Sequence, residues 1–463
     1  MTILFVKKGD SGMAKKMRHR LKLSPTQIIA LTFAAIIFVG ALLLTLPISS
    51  RSGKTQGFLT ALFTSTSATC VTGLVMGDTW SMWSGFGQVV IITLIEIGGL
   101  GFMSAASLFI FLLRKKIGLR QRMLIAQALS VNEMDGVVRL QKWVLLGSLV
   151  IQLSGAAILF CRFITEFSFG TALKWSLFHA VSAFCNAGFD IFGEIAPNGS
   201  IITFNNDPVI CLTLMALVVI GCLGFFVWED VATKRKFKKF SIYTKLVLLT
   251  TGGLLLLGTV LFAALEWNNP QTLGTMPAWQ RLLNAGFQSV TVRTAGFAGV
   301  DQALLTDGSK AVSIFLMLIG GSSGSTAGGI KTITMLVLVL FMTSRARGKN
   351  RVHVFGRNVP QEKVMDAITI ISLVVGLAFF GAVFISATNP VTFADAFFET
   401  ASAIATVGLT AGLTPTLNVA SKLLLIVFMY FGRVGVLTIS LGFLMGDKAD
   451  DRIRYADTNL LIG

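Results

Sequence analysis

Eight apolar stretches of twenty residues or more alternate along the chain with shorter and more polar segments. A helix needs about 20 apolar residues to cross the ~30 Å hydrocarbon core of a bilayer, so each stretch is long enough to span a membrane. An even number of crossings places both termini on the same side. The stretches are residues 27–47, 87–113, 143–164, 208–228, 246–265, 311–342, 366–387 and 422–445.

The composition excludes a soluble protein. Hydrophobic residues make up 54% of the 463 residues and charged residues only 13%, whereas a soluble domain is about a quarter charged. No two of the five cysteines are spaced as a C-x-x-C pair, and all five have apolar neighbours in the sequence. We therefore expect them to be buried apolar side chains and not disulfides or metal ligands. They are Cys70, Cys161, Cys185, Cys211 and Cys222.

The net charge of +17 is concentrated on one side of the predicted membrane. Of the 39 Lys and Arg residues, 29 fall into five alternate segments between the apolar stretches. By the positive-inside rule these segments, and with them both termini, are predicted to be cytoplasmic. The basic clusters lie at helix ends, where anchoring to the membrane surface explains them better than nucleic-acid binding does. The segments are residues 1–24, 114–142, 229–245, 344–365 and 447–463.

Four segments on the opposite side are too apolar for ordinary loops and too short to span a bilayer. About a dozen apolar residues followed by a more polar return are typical of a re-entrant segment. Backbone that is not helical at membrane depth is tolerated only where it is buried in protein or lines a cavity. We therefore predict four re-entrant hairpins around one cavity, at residues 58–69, 172–184, 279–290 and 393–404.

One glycine after each short segment reveals an internal repeat. Gly73, Gly188, Gly296 and Gly408 are separated by 115, 108 and 112 residues, about a quarter of the chain. Three copies share a phenylalanine ten positions before the glycine and Ser-Ala six and five positions before it. These are Phe63 with Ser67-Ala68, Phe178 with Ser182-Ala183, and Phe398 with Ser402-Ala403; the third copy departs, with Phe287 displaced by one position and Val290-Thr291 in place of Ser-Ala.

The repeat predicts an all-α polytopic membrane protein. Four helix, pore loop, helix units would be arranged with pseudo-fourfold symmetry around one central pore. The predicted units are residues 25–113, 114–230, 231–343 and 344–446, flanked by a cytosolic basic segment at 1–24 and a cytosolic tail at 447–463.

The returns after the short helices are predicted to bind a cation. The last carbonyls of a helix carry partial negative charge, so four helix C-termini that meet at one axis favour a positive ion. The returns contain no carboxylate, which favours backbone carbonyl ligands and a weakly hydrated monovalent ion such as K⁺. The predicted filter residues are Thr69, Cys70, Val71, Thr72, Gly73, Cys185, Asn186, Ala187, Gly188, Arg293, Thr294, Ala295, Gly296, Ala405, Thr406, Val407 and Gly408.

The apolar stretch 311–342 is interrupted by ten small residues, five of them glycine. Each glycine costs a helix roughly 1 kcal/mol relative to alanine, so the interruption predicts an unwound loop. Its G-x-S-x-G pattern lacks the preceding strand and the histidine partner of a hydrolase, so we do not expect an enzyme. The loop residues are Gly320, Gly321, Ser322, Ser323, Gly324, Ser325, Thr326, Ala327, Gly328 and Gly329.

Arg433 lies near the middle of the last apolar stretch, where a charge is costly and points to function. We hypothesise that Arg433 donates to carbonyls or hydroxyls of the 320–329 loop, so that the loop and the charge gate cation passage. The alternative is an arginine that only pins two helices together. Glu96 is a weaker candidate, with either a basic partner or a water-filled vestibule around it.

Four acidic residues follow the filter glycines and are candidates for concentrating cations at the pore mouth, although ordinary solvated acids would look the same. They are Asp78, Asp190, Glu194 and Asp301.

Four repeats with one filter glycine each, opening with Thr-Cys-Val-Thr-Gly-Leu at residues 69–74, resemble the membrane subunit of Ktr-type potassium uptake systems of the Trk, Ktr and HKT superfamily. The resemblance implies K⁺ preference, since relatives that favour Na⁺ tend to carry serine at the first glycine. It also implies a gating loop and an arginine at the positions above. A homodimer in the bacterial plasma membrane, a cytosolic nucleotide-binding ring that senses ATP or ADP, and Na⁺ as an activator are implied as well.

Two other function classes remain as alternatives. A transporter for another monovalent cation such as Na⁺ would use the same architecture. A substrate-coupled secondary transporter usually has inverted repeats, whereas two crossings per repeat keep all four repeats in one orientation.

Overall fold

The computed structural model describes residues 25–101, 137–349 and 351–435, which are mostly helical. The predicted tails 1–24 and 447–463, and most of the basic segment 114–142, lie outside the described residues. A small hairpin pairs β1 (His353–Val354) with β2 (Arg357–Asn358). The helices of the described part are α1 (Pro25–Thr45), α2 (Phe58–Thr69), α3 (Thr79–Met82), α4 (Gly85–Leu100), α5 (Val137–Phe163), α6 (Phe169–Phe184), α7 (Pro208–Leu223), α8 (Phe225–Lys234), α9 (Ile242–Glu266), α10 (Ala278–Thr291), α11 (Asp307–Leu318), α12 (Thr332–Ala346), α13 (Gln361–Thr388), α14 (Phe393–Ile404) and α15 (Val419–Val434).

Four long helices, α1, α5, α9 and α13, begin the four quarters of the chain. Each contains a segment long and apolar enough to cross a bilayer: Gln27–Thr45, Gln141–Phe163, Ile242–Glu266 and Gln361–Thr388. Their outward faces are apolar too, since Leu146, Leu256 and Phe380 are 64%, 68% and 63% exposed. Helices that are apolar on every face belong in a lipid environment.

Each long helix packs against the short helix that follows it. Helices α2 and α14 have the predicted bounds, whereas α6 begins three residues earlier than predicted and α10 is one residue longer at each end. The Ser168 and Thr392 hydroxyls accept hydrogen bonds from first-turn amides and cap the N-termini of α6 and α14. Helices α6, α10 and α14 end just before the predicted filter segments, and α2 ends at the first predicted filter residue, Thr69.

The second helix of every quarter ends early, which the sequence predicted only for the third quarter. Helices α4, α7, α11 and α15 end at Leu100, Leu223, Leu318 and Val434. The predicted continuous span 208–228 is therefore wrong, because the chain bends by 95° between α7 and α8. Residues 102–113 and 436–445 of two other predicted spans lie outside the described residues.

Glycines explain three of these four ends, those of α4, α7 and α15. Gly101, Gly224 and Gly435 follow the last helical residue with φ of 83°, 90° and 96°. A positive φ cannot continue a right-handed helix, and glycine adopts it without strain.

Contacts between quarters follow chain order and return from the last quarter to the first. The second helix of each quarter packs against the short helix of the next. The pairs are α4 with α6, α7 with α10, α11 with α14, and α15 with α2. The short helices are thereby held on both sides, by their own quarter and by the preceding one.

Candidate ion pathway

The four predicted filter segments share one backbone conformation. Two residues before the glycine φ is positive: 56° at Val71, 60° at Asn186, 64° at Thr294 and 53° at Thr406. The four glycines also have positive φ, between 67° and 101°. Because the sign of φ alternates along the segment, successive carbonyl oxygens turn toward the same side of the chain. Each segment can therefore present a row of carbonyl oxygens to an ion.

The four glycines are packed against one another in cyclic order. A Cβ placed on any of them would come within 3.0 Å of the carbonyl oxygen that precedes the glycine of the next segment. The contacts run from Gly73 to Ala187, from Gly188 to Ala295, from Gly296 to Val407, and from Gly408 to Thr72. A side chain at any of these positions would push a carbonyl oxygen of the neighbouring segment out of place.

A hydroxyl near the end of each short helix holds the filter segment. In the first and fourth quarters it accepts a hydrogen bond from the amide of the filter glycine, and in the other two it donates to the carbonyl after the glycine. The pairs are Ser67 with Gly73 (3.0 Å), Ser402 with Gly408 (3.0 Å), Ser182 with Phe189 (2.7 Å) and Thr291 with Phe297 (2.6 Å).

These bonds explain the divergent third copy. Thr291 takes the place of the serine and follows Phe287 by four residues, as Ser67 follows Phe63. Only four residues instead of five then separate the hydroxyl from its glycine. The third copy therefore keeps the helix motif, and its connection to the filter glycine is one residue shorter. Aligning the copies on their glycines places this helix motif out of register by one residue.

Three buried polar side chains behind the filter segments were missed by the sequence analysis. His179, Gln288 and Glu399 each follow the repeated phenylalanine, and this recurring Phe-polar pair was the available signal. Each bonds to the chain that leaves the filter. The amide of Ile191 donates to His179 (3.2 Å), Gln288 donates to Gln302 (2.6 Å), and the hydroxyls of Thr410 and Thr414 (2.9 Å for Thr414) donate to Glu399.

A cavity of about 420 Å³ opens over the glycines, at the end of the segments where the chain leaves the filter. Of the predicted acids, Asp78, Asp190 and Asp301 line it, whereas Glu194 is exposed and is not among the lining residues. Burial and the neighbouring charge of Asp78 raise the pKa of the Asp190 carboxyl to about 7.

The predicted break in 311–342 is present, since residues 319–331 are not helical. This loop lies at the other end of the filter segments, against their first residues. The Thr326 hydroxyl donates to the carbonyl of Phe184 at 3.1 Å. A Cβ on Gly328 would collide with the side chain of Thr406. The loop thus contacts the second and fourth filter segments at once.

Arg433 contacts the loop and also the first quarter. Its guanidinium donates to the carbonyl of Thr326 and to those of Gly98 and Gly99, the last at 3.0 Å. The contact with the loop agrees with the hypothesis drawn from the sequence, and the contact with the end of α4 was not predicted. A charged donor makes strong hydrogen bonds with carbonyl oxygens. Through these bonds Arg433 joins its own helix, α15, to the loop and to the end of α4.

Glu96 contacts the back of the second filter segment. Its carboxylate accepts hydrogen bonds from Gln152 at 3.0 Å and from the Cys185 thiol at 3.3 Å. The sequence offered a basic partner or a watery vestibule; within the described part of the chain its hydrogen-bond partners are this amide and this thiol.

A Gly-x-x-Gly motif marks the early helix ends. The motif occurs at residues 98–101, 221–224 and 432–435. Its first glycine packs directly on the last carbonyl of the short helix in the same quarter, with the pairs Gly98–Thr69, Gly221–Phe184 and Gly432–Ile404. The motif was visible in the sequence, but the predicted spans ran through it because hydropathy does not register a backbone turn.

Comparison with known families identifies this architecture. The family model of the TrkH cation transport proteins matches residues 12–451. The chain belongs to the TrkH family. The resemblance to Trk- and Ktr-type proteins is thereby confirmed, and as a TrkH-family member with four long apolar helices the chain is a multi-pass membrane transporter.

Relatives in the TrkH family match over nearly the whole chain. The potassium/sodium uptake protein NtpJ of Enterococcus hirae is 40% identical, over 97% of this chain and 99% of the relative. The Ktr system potassium uptake protein B of Bacillus subtilis is 39% identical, over 96% of this chain and 98% of the relative. The crystal structure of the potassium transporter TrkH from Vibrio parahaemolyticus has the same fold, with a TM-score of 0.71, 19% identity, and coverage of 92% of this chain and 86% of that one.

Proposed function

We propose that this TrkH-family protein carries K⁺ into the cell through a single pore, with a filter built from all four segments. The observation that carries the proposal is the cyclic packing of each filter glycine against the carbonyl of the next segment. Four carbonyl rows held this close together replace a hydration shell. The helix contacts that lead from the last quarter back to the first support a pseudo-fourfold arrangement. The names of the relatives, which specify potassium uptake, agree with it.

The chemistry of the segments favours a weakly hydrated monovalent cation. Residues 69–73, 184–188, 292–296 and 404–408 contain no Asp or Glu, the ligands on which divalent cation sites usually depend. Glycine at all four positions favours K⁺ over Na⁺ by the family resemblance. Na⁺ transport is the second candidate, because the name of the Enterococcus relative includes sodium.

Growth and flux measurements test the proposed transport. We expect the gene to restore growth of a K⁺-uptake-deficient bacterium at low K⁺, and the purified protein in liposomes to take up ⁸⁶Rb⁺ in competition with K⁺. An excess of K⁺ should suppress uptake more strongly than an equal excess of Na⁺. Equal suppression by both ions would favour the sodium candidate, and absence of uptake by a folded, inserted protein would refute the transport proposal.

The loop at residues 320–329, together with Arg433, is proposed to gate the pore. Its location at the end of the filter segments opposite the cavity, in contact with two of them, supports this role. The Arg433 guanidinium adds a positive charge on the same side, which opposes the passage of a cation. Release of the loop from the filter would open the path.

Removal of the gate should raise flux. We expect Arg433→Ala, and separately a deletion of residues 323–328, to increase ⁸⁶Rb⁺ uptake into liposomes several-fold. Unchanged or reduced uptake by a variant that still elutes as a folded protein would count against gating. Arg433 would then only pin helices together.

Further parts of the proposal rest on the resemblance to Ktr-type systems. We propose a homodimer in the bacterial plasma membrane with cytoplasmic termini, regulated by a nucleotide-binding ring on the basic face, with Na⁺ as an activator. Basic residues at the ends of α8 and α12, such as Lys234 and Arg345, belong to that face. Growth at low K⁺ with and without a co-expressed ring, and with and without Na⁺, tests the regulation.

A further inference from the structure

The loop between α11 and α12 consists of a neck and a tip with different contacts. Backbone hydrogen bonds join the two strands of the neck, residues 318–321 and 330–332. The amide of Gly320 donates to Ile330 (2.8 Å), that of Ile330 to Leu318 (3.2 Å), and that of Thr332 to Gly321 (3.0 Å). Residues 322–329 form the tip, which lies against the filter segments.

The side chain of Arg293 holds both strands of the neck. Arg293 is only 3% exposed, and its Nη2 donates to the Gly320 carbonyl and to the Thr332 hydroxyl, both at 3.1 Å. The Thr332 hydroxyl in turn donates to the Gly320 carbonyl at 2.9 Å. Burying a guanidinium costs free energy unless its donors are hydrogen-bonded. Because charged hydrogen bonds are strong, we expect the two bonds of Arg293 to hold the neck firmly.

Arg293 is also part of the filter. It lies three residues before Gly296, where the other segments carry Cys70, Cys185 and Ala405, which are too short to span the same gap. Its own carbonyl accepts a hydrogen bond from the Cys222 thiol at 3.4 Å. The third segment therefore has a side chain that connects the filter backbone to the base of the loop.

The tip is held by other parts of the molecule. The Tyr243 hydroxyl donates to the Ser323 carbonyl at 3.1 Å, and the amide of Phe225 donates to the Gly324 carbonyl at 2.8 Å. Arg433 donates to the Thr326 carbonyl. These partners belong to the second, third and fourth quarters, and none of them is Arg293. The tip can therefore lose its bonds to them while the neck keeps its bonds to Arg293.

We infer that Arg293 is a positioning residue that fastens the neck to the third filter segment and thereby keeps the tip beneath the pore. This inference rests on the gating function proposed above. Arg433 then acts as a releasable contact on the tip, and Arg293 acts as the fixed attachment. Without Arg293 the neck can move away from the filter, and the tip no longer closes the path.

A double-mutant experiment tests this role. Arg293→Met keeps a long side chain and removes its hydrogen-bond donors. Thr332→Val removes the neck hydroxyl that accepts one of the two hydrogen bonds from Arg293. Arg293→Met loses both bonds to the neck, and we expect it to raise ⁸⁶Rb⁺ flux into liposomes at least about tenfold, the factor for a single hydrogen bond to a charged group. Thr332→Val should raise the flux less. In a protein that already lacks residues 323–328, Arg293→Met should add nothing further.

The control is Arg281→Met, on the short helix α10 that precedes Arg293. Arg281 also donates to backbone carbonyls, those of Met276, Trp267 and Gly274, but it does not contact the loop. It should leave flux unchanged. Thr332→Ser keeps the hydroxyl and lacks the methyl group, and it should have the flux of the unmodified protein. This variant therefore distinguishes the effect of the hydrogen bond from the effect of methyl packing.

The outcomes separate the two proposals. If the deletion raises flux but Arg293→Met does not, or raises it by the same factor with and without the tip, the role of Arg293 is refuted and the gate stands. If the deletion itself leaves flux unchanged, the gate is refuted, and the role of Arg293 with it. If Arg293→Met does not fold, unchanged flux in Thr332→Val refutes the attachment.

Discussion

At the scale of residues, the filter glycines combine two requirements that no other residue meets. Their positive φ turns the backbone so that carbonyls align, and the missing Cβ leaves room for the carbonyl of the neighbouring segment. A substitution therefore strains its own segment and displaces the next one. The two effects can be separated, because the chain contains glycines with the same φ in open surroundings.

Gly73→Ser should reduce the preference for K⁺ over Na⁺. The new Cβ would lie 2.5 Å from the Ala187 carbonyl oxygen and push it away from the ion. We expect the ratio of K⁺ to Na⁺ competition against ⁸⁶Rb⁺ uptake to fall about tenfold, as for the loss of ~1.4 kcal/mol of ion coordination. Gly57→Ser is the control, since Gly57 has φ of 85° and nothing within 4 Å. An equal fall in both variants would assign the effect to general instability.

Glu399→Ala should weaken K⁺ binding without affecting the gate. Removal of the carboxylate leaves the hydroxyls of Thr410 and Thr414 without their acceptor and frees the chain that leaves the fourth filter segment. We expect the KM for K⁺ to rise about tenfold, since a buried hydroxyl left without its acceptor costs about 1–3 kcal/mol. Asp395→Asn, on the same helix but paired with Lys310, should leave KM unchanged. A fall in maximal rate at constant KM would contradict the role assigned to Glu399.

At the scale of elements, the short helices were predictable and the early ends of the second helices were not. Hydropathy and length predict the first and last residues of α2 and α14 correctly. An apolar segment that is too short to span the bilayer can form few structures other than a short re-entrant helix. The end of α7 depends on a positive φ at Gly224 inside an uninterrupted apolar run. The hydrogen bonds of His179 and Glu399 depend on which segments meet in space, and that follows from the fold alone.

Gly328→Ala should open the gate by displacing the loop. The added methyl group would overlap the side chain of Thr406, and overpacking of this kind typically costs about 1–3 kcal/mol. We expect flux to rise about tenfold while the competition between K⁺ and Na⁺ stays the same. Gly252→Ala in α9, where nothing lies within 4 Å of the new carbon, is the control and should leave flux unchanged. A loss of ion preference in Gly328→Ala would mean that Thr406 moves in place of the loop.

At the scale of the whole molecule, the two ends of the proposed pore differ in charge. Acidic residues from different quarters line the cavity over the glycines, and the loop side carries Arg293, Lys331 and Arg433. A cation is attracted at one end and opposed at the other. Uptake should therefore respond to the charge of the cavity.

Uptake at low K⁺ should increase when the outer pH rises from 6 to 8. Burial and Asp78 hold the pKa of Asp190 at about 7, so this carboxyl is mostly protonated below that pH and mostly charged above it. We expect the KM for K⁺ to fall about twofold as the charge appears, as for a unit charge ~10 Å away in water. Asp190→Asn should abolish the pH step, and Asp301→Asn should retain it. A step that persists in Asp190→Asn would assign it to another group.

Encoding all four filter segments in one polypeptide allows them to differ. A channel made of four identical chains would repeat every side chain four times, so a loop as large as 319–331 would meet three copies of itself on the axis. Here the third quarter alone supplies the loop, Arg293 and Tyr243, while the second and fourth quarters supply Phe225 and Arg433 to hold the loop. Differences among the four copies thus make the proposed off-centre plug compatible with a nearly symmetric arrangement of the proposed ion site.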